Sequence, residues 1–155
     1  MSAAGQLLTT KLFPPSARPK RIARPRLLAR LDENRPLTLI AAPAGFGKTT
    51  LLGDWVNEGR HRVAWLSLDE ADNYPAQFWS YVITALQQTE PDEEMAALVL
   101  LQSPQQPSIT SVLSELINQL AGLPQSLVLV LDDYHVITAQ PIHQALSFLL
   151  EHLPA

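Results

Sequence analysis

Apolar positions along the chain change their period repeatedly, and each change marks an element. Up to residue 25 no period is visible. Pro14, Pro15, Pro19 and Pro25 fix φ and remove backbone donors, so residues 1–25 read as extended and irregular. Pro25 suits a first helical position, and Leu27, Leu28 and Leu31 continue a short helix from it. Residues 37–42 then form an apolar run of strand length. Helical spacing returns over residues 48–58, with Leu51, Leu52 and Trp55 on one face and Gly59 just past the end.

A second strand is predicted over residues 62–68, ended by Asp69, Glu70, Asp72, Asn73 and Pro75. Residues 75–88 place Phe78, Val82, Ala85 and Leu86 at helical spacing, widened by Trp79 and Ile83. A short helix is expected over 92–101 and a loop over 102–107. Ser108 can cap a helix carrying Ile109, Val112, Leu113, Leu116, Ile117 and Leu120, which Gly122 and Pro124 stop. Residues 126–131 read as a strand buried on both faces, as in a parallel sheet. Pro141 opens a last helix bearing Ile142, Ala145, Leu146, Leu149, Leu150 and Leu153. Strands separated by helices imply βαβ crossovers and an α/β fold with a parallel sheet. No internal repeat is evident.

Composition supports one folded domain: 155 residues, 46% apolar and 17% charged, with a net charge of −4, exclude a disordered chain. The absence of cysteine removes disulfides, thiolate metal sites and cysteine nucleophiles. The longest apolar run, residues 95–101, is far shorter than the roughly 18 residues a membrane span needs. Residues 1–13 lack the pattern of a secretory signal, so a soluble cytoplasmic protein with no membrane partner is expected.

Charge is distributed unevenly. Residues 1–36 hold eight of the eleven basic side chains against Asp32 and Glu33, whereas the other 119 residues carry three basic and thirteen acidic groups. A basic leader can be a nucleic-acid arm. With Phe13 as its one stacking aromatic, it reads better as a lead-in that packs on an acidic body.

Chemistry concentrates in residues 42–50, Ala-Pro-Ala-Gly-Phe-Gly-Lys-Thr-Thr, between an apolar strand and a helix. The P-loop pattern wants Gly, four residues, then Gly-Lys-Ser/Thr, and here Ala42 replaces the first glycine. Gly45 and Gly47 still let backbone amides converge on phosphate oxygens, and the helix from Lys48 adds its positive N-terminal end. Lys48 would reach the β- and γ-phosphates, and the Thr49 hydroxyl would coordinate Mg²⁺. An ordinary glycine turn is the alternative, and the strand and helix flanks argue against it.

The second signal is the pair Asp132-Asp133 at the end of the apolar strand 126–131. Asp pairs often end strands in turns, but downstream of a P-loop this is the Walker-B arrangement. Asp132 is then the metal carboxylate, and Asp133 the candidate to orient or deprotonate an attacking water. His135 could sense the nucleotide, but reads better as a loop residue with a local hydrogen bond. His61, His143 and His152 have no metal-like spacing. Trp55, Trp65 and Trp79 are expected in the core, and Asp69, Glu70 and Asp72 in a solvated turn rather than a cation site.

These motifs, with Thr10-Lys-Leu, Arg24-Pro-Arg-Leu, Trp65-Leu-Ser-Leu-Asp-Glu and Leu131-Asp-Asp-Tyr-His in the same order, resemble a known family. The chain is similar over residues 7–153 to the N-terminal ATPase module of large ATP-binding LuxR-type transcriptional regulators. These form a maltose-activator-like group of the signal-transduction NTPases with numerous domains. The resemblance implies a P-loop NTPase-type parallel sheet with flanking helices. It also implies ATP or ADP at Gly45, Phe46, Gly47, Lys48, Thr49 and Thr50, Mg²⁺ at Thr49 and Asp132, and Arg24 near the nucleotide. ATP against ADP would act as a switch.

In that family the chain continues beyond the residues present here with a further strand, a sensor arginine and inducer- and DNA-binding parts. The resemblance therefore divides the chain into a basic, Pro-rich lead-in with a short helix (1–36) and a P-loop NTPase domain incomplete at its C-terminus (37–155). DNA would be bound only through a C-terminal domain outside this chain. The strand lacking here lies between the two motif-bearing strands in the family's sheet, so marginal stability, self-association or substitute pairing is expected. Hydrolysis should be weak at most. The alternative is a free-standing P-loop ATPase or kinase-like enzyme, which would need phosphate-clamping arginines. No Arg or Lys follows Arg62.

Overall fold

The computed structural model describes residues 6–16, 22, 24–33, 35–41 and 47–154. Two strands, β1 (Arg62–Ser67) and β2 (Leu127–Asp132), pair in parallel with Arg62 opposite Leu127 and Ser67 opposite Asp132. The backbone N–H of Leu68 extends the ladder to the Asp132 carbonyl at 3.0 Å. A parallel pair needs a crossover, supplied here by α3 (Pro75–Thr89), α4 (Ala96–Leu101) and α5 (Ile109–Ala121). Helices α1 (Pro25–Leu31) and α2 (Lys48–Asn57) precede β1, and α6 (Gln140–Glu151) follows β2.

The alternation of side chains along β1 divides the interior. Ala64 and Leu66 face a large cluster built on Phe78, Val82 and Ile83 of α3, Val112, Leu113 and Leu116 of α5, and Ile142 of α6. Trp65 points the other way, with Trp55 and Val130, against Leu28, Leu31 and Leu52 of α1 and α2. All three tryptophans are buried, as their helical and strand positions require. Local signals behave as expected at several ends. Pro25 and Pro75 open helices, and the Ser108 hydroxyl accepts the Ser111 N–H at the start of α5.

Four expectations need correction. Residues 37–41 form no strand, and Leu37 and Leu39 are 62% and 81% exposed; Ala42 lies outside the described residues. A strand exists only through its neighbours, and among the described residues β1 and β2 pair solely with each other. The outer edge of β2 instead faces a cleft of about 1720 Å³, shared by Leu39, Lys48, Thr49, Leu131, Asp132 and Leu149. For the same reason β2 is not buried on both faces: Val130 and Asp132 are buried and the rest of the strand is half-buried.

The lead-in and the acidic turn also differ. Residues 9–12 wind into a 3₁₀ turn, Thr9–Leu12, with Lys11 and Leu12 buried. Lys11 Nζ donates to Asp69 at 3.0 Å and to Asp72, and lies 4.6 Å from the Tyr81 ring centroid. Asp72 is fully buried rather than solvated. It is held by a capping box in which Asp69 and Asp72 exchange bonds around the 3₁₀ turn Glu70–Asn73. At Lys11, the expected packing of a basic lead-in on an acidic body is realised.

Candidate functional site at the strand ends

Helix α2 begins at Lys48 because Gly47, its N-cap, adopts φ +78°, a conformation that glycine enters without steric cost. A Cβ at Gly47 would lie 3.2 and 3.4 Å from the terminal nitrogens of Arg24, the N-cap of α1. The arginine before α1 thus packs against the backbone entering α2. Lys48, Thr49 and Thr50 form the first turn of α2, whose backbone N–H groups have no acceptor within the helix and carry partial positive charge. Gly45 and Phe46, with the rest of residues 42–46, lie outside the described residues.

Thr49 meets Asp132, the last residue of β2, across 83 residues of chain. Its hydroxyl lies 3.0 Å from each carboxylate oxygen, Oδ1 and Oδ2. Asp132 is only 6% exposed. Burial pushes its carboxyl above the ordinary carboxylate range. The Thr49 hydroxyl, the Asp133 backbone N–H and the Lys48 charge work in the opposite direction, while the Asp133 charge adds to the rise. A buried carboxylate is thus held facing a helix N-terminus, at the carboxyl ends of parallel strands where open α/β sheets bind ligands.

Asp133 differs from its neighbour in every respect. It takes a left-handed conformation, φ 60° and ψ 35°, and its side chain is half-exposed. His135, also exposed, places Nδ1 4.0 Å from the Asp133 carboxylate. The structure therefore brings Arg24, Gly47, Lys48, Thr49 and Asp132 to one end of the sheet, with Asp133 directly following. Thr50 is exposed on α2. Among the described residues no group of three His, Asp or Glu side chains could hold a metal by itself.

Three side chains near this end were not singled out from the sequence. Asn73 ties the turn after β1 to the loop after β2. Lys11 fastens that same turn through Asp69 and Asp72. The Tyr134 hydroxyl sits 2.6 Å from His143 Nδ1, and burial raises its pKa. The Asp69-x-x-Asp72 spacing was a usable signal for the turn itself. Lys11 lies 58 and 61 residues from its partners and gives no local signal.

No protein-family model matches the chain. Over 150 residues, 96% of its length, it is 43% identical to the HTH-type transcriptional regulator MalT of Cronobacter sakazakii. It is 41% identical over the same share to the regulators of that name from Klebsiella pneumoniae and Serratia proteamaculans. The chain spans 16% of the length of each. By this similarity the chain is a relative of the MalT-type transcriptional regulators and resembles their N-terminal module over nearly all of its own length.

Proposed function

We propose that the chain is the ATP-binding switch module of a MalT-like transcriptional regulator, built on a P-loop NTPase-type α/β fold. The contact between Thr49 and Asp132 carries this reading. The Thr49 hydroxyl stands 3.0 Å from the Asp132 carboxylate oxygens. The hydroxyl and the hard, buried carboxylate fit a magnesium ion that takes its remaining oxygens from phosphate and water. Lys48 and the first-turn N–H groups of α2 offer positive charge to the phosphates on the same side.

Bound Mg²⁺ would neutralise phosphate charge and lower the electrostatic cost of the buried Asp132 carboxylate. The protein's own residues orient: Gly47 lets α2 start at the sheet end, and Arg24 packs beside it. Switching follows if ATP and ADP differ in affinity for two arrangements of the elements around the cleft. DNA recognition would belong to parts of the longer regulator outside this chain. Within these 155 residues, no Lys or Arg follows Arg62 to clamp a second phosphoryl substrate, which favours a switch over a small-molecule kinase.

The deciding experiment is a thermal melt with and without Mg·ATP, beside Lys48→Ala. At a hundredfold excess over Kd, bound ligand stabilises by about 2.7 kcal/mol, or roughly 5–11 °C in a domain this size. A shift absent from Lys48→Ala supports the reading. A cooperative melt that Mg·ATP leaves in place refutes it.

A further inference from the structure

The amide of Asn73 is bonded at both ends. Its Oδ1 accepts from the backbone N–H of Thr138 at 2.7 Å, from that of Ala139 at 3.0 Å and from the Thr138 hydroxyl at 3.3 Å. Its Nδ2 donates to the carbonyls of Val136 at 3.0 Å and Glu70 at 3.1 Å. Two donor hydrogens and two lone pairs are what an Asn side chain has to offer, so its capacity is spent. All these bonds except that to Glu70 reach 63–66 residues along the chain, into the loop between β2 and α6.

That loop carries the left-handed Asp133, then Tyr134 and His135. Its near end is fixed by the sheet, through the bond from Leu68 N–H to the Asp132 carbonyl. Its far end runs into α6, whose N-cap, Ala139, has no side chain able to accept the first N–H groups. Asn73 instead holds the N-cap residue itself from another element, by its backbone N–H. The loop in turn reaches the site, because the Val136 N–H bonds the Asp133 carbonyl at 3.1 Å and Asp133 directly follows Asp132. Asn73 is itself held in a turn that the buried Lys11–Asp72 pair ties to the N-terminal segment.

We propose that Asn73 is a positioning residue for the nucleotide–metal site: by clamping the loop after β2 it fixes the Asp133 backbone and so holds the neighbouring Asp132 carboxylate in place opposite Thr49. The inference rests on the ATP-binding reading above. Groups that orient a metal-binding carboxylate are worth roughly 10–100-fold in metal affinity when removed. Asn73→Ala should therefore weaken Mg·ATP binding about tenfold or more, while binding of ATP in EDTA, which does not use the carboxylate, changes by less than about twofold. Asn73→Asp keeps the acceptor for Thr138 and Ala139 and loses the donor to Val136, so it should recover part of the magnesium-dependent gain.

The test measures ATP affinity of the full chain by calorimetry, with Mg²⁺ and with EDTA, for wild type, both variants and Lys48→Ala. Amide hydrogen exchange at Thr138 and Ala139 is followed in parallel. Loss of the magnesium-dependent gain in Asn73→Ala with partial recovery in Asn73→Asp is the expected result. Faster exchange at Thr138 and Ala139 with the gain intact would overturn the positioning role and leave the ATP site standing. No binding by the wild type in either condition would overturn both. Where Asn73→Ala gives no cooperative melt, Asn73→Asp against wild type decides, and an undiminished gain there overturns the inference.

Discussion

Replacing Lys11 by methionine removes one charge from a buried cluster and leaves its packing stem in place. Among the described residues, Asp72 is then a fully buried carboxylate supported only by neutral donors, the Asp69 N–H at 2.9 Å and Gln77 Nε2 at 3.2 Å. Breaking a buried pair in this way costs about 3–5 kcal/mol. The Asp69 contact adds less than about 1 kcal/mol, because that side chain is 57% exposed. Against a total of about 5–15 kcal/mol, the loss is a large share of the fold's stability. At roughly 2–4 °C per kcal/mol it lowers Tm by about 6–20 °C.

Urea melts of Lys11→Met, Asp72→Asn and the double variant measure this directly. Removing both partners should cost less than the two single losses together, by about 2 kcal/mol, since neither charge is then stranded. Additivity within about 0.5 kcal/mol would refute the claim that the pair acts as a unit. The pH profile gives a second check. Burial pulls the Lys11 ammonium down, but hydrogen bonds and charge from Asp72 and Asp69 outweigh it and leave Lys11 above its ordinary value of 10.5. Its contribution is thus complete below pH 10.5 and lost as pH rises through the raised value. The Lys11 hydrogen bond lowers Asp69, whose contribution is complete above its ordinary 3.8 and lost as pH falls through the lowered value. Lys11→Met should flatten both arms.

Other outcomes follow from the same contacts. Asp132→Asn relieves a buried carboxyl whose pKa burial has raised, so the ligand-free chain should melt at higher temperature while the Mg·ATP shift disappears; a lower Tm in differential scanning fluorimetry would contradict this. Gly47→Ala places a Cβ at φ +78° and 3.2 Å from Arg24, and should cost about 1 kcal/mol or more in urea melts and weaken ATP binding. Leu39→Lys alters a side chain that is 81% exposed, so stability should stay within about 0.5 kcal/mol. If chains associate along the edge of β2 that no described strand pairs, sedimentation should show the same variant associating less at equal concentration.

Much of the architecture was legible from local pattern. The helices α2, α3, α5 and α6 follow their apolar stripes, with Gly47, Pro75, Ser108 and Pro141 marking their starts. The two apolar runs that became β1 and β2 and the motif residues Lys48, Thr49 and Asp132 were equally visible, because period, caps and motif spacing act within a few residues. Tertiary structure decided what depends on a distant partner. Residues 37–41 have the same apolar character as β2 yet are not a strand, since strand formation requires a neighbour to take the backbone hydrogen bonds. Asp72 looks like a solvated turn residue until Lys11, 61 residues away, enters its surroundings. Asn73 looks like a turn breaker until its amide is seen to hold the Thr138 and Ala139 N–H groups just ahead of α6. Side-chain periodicity reports which way a residue faces; only the folded chain determines what it faces, because burial and charge pairing depend on segments that sequence order does not bring together.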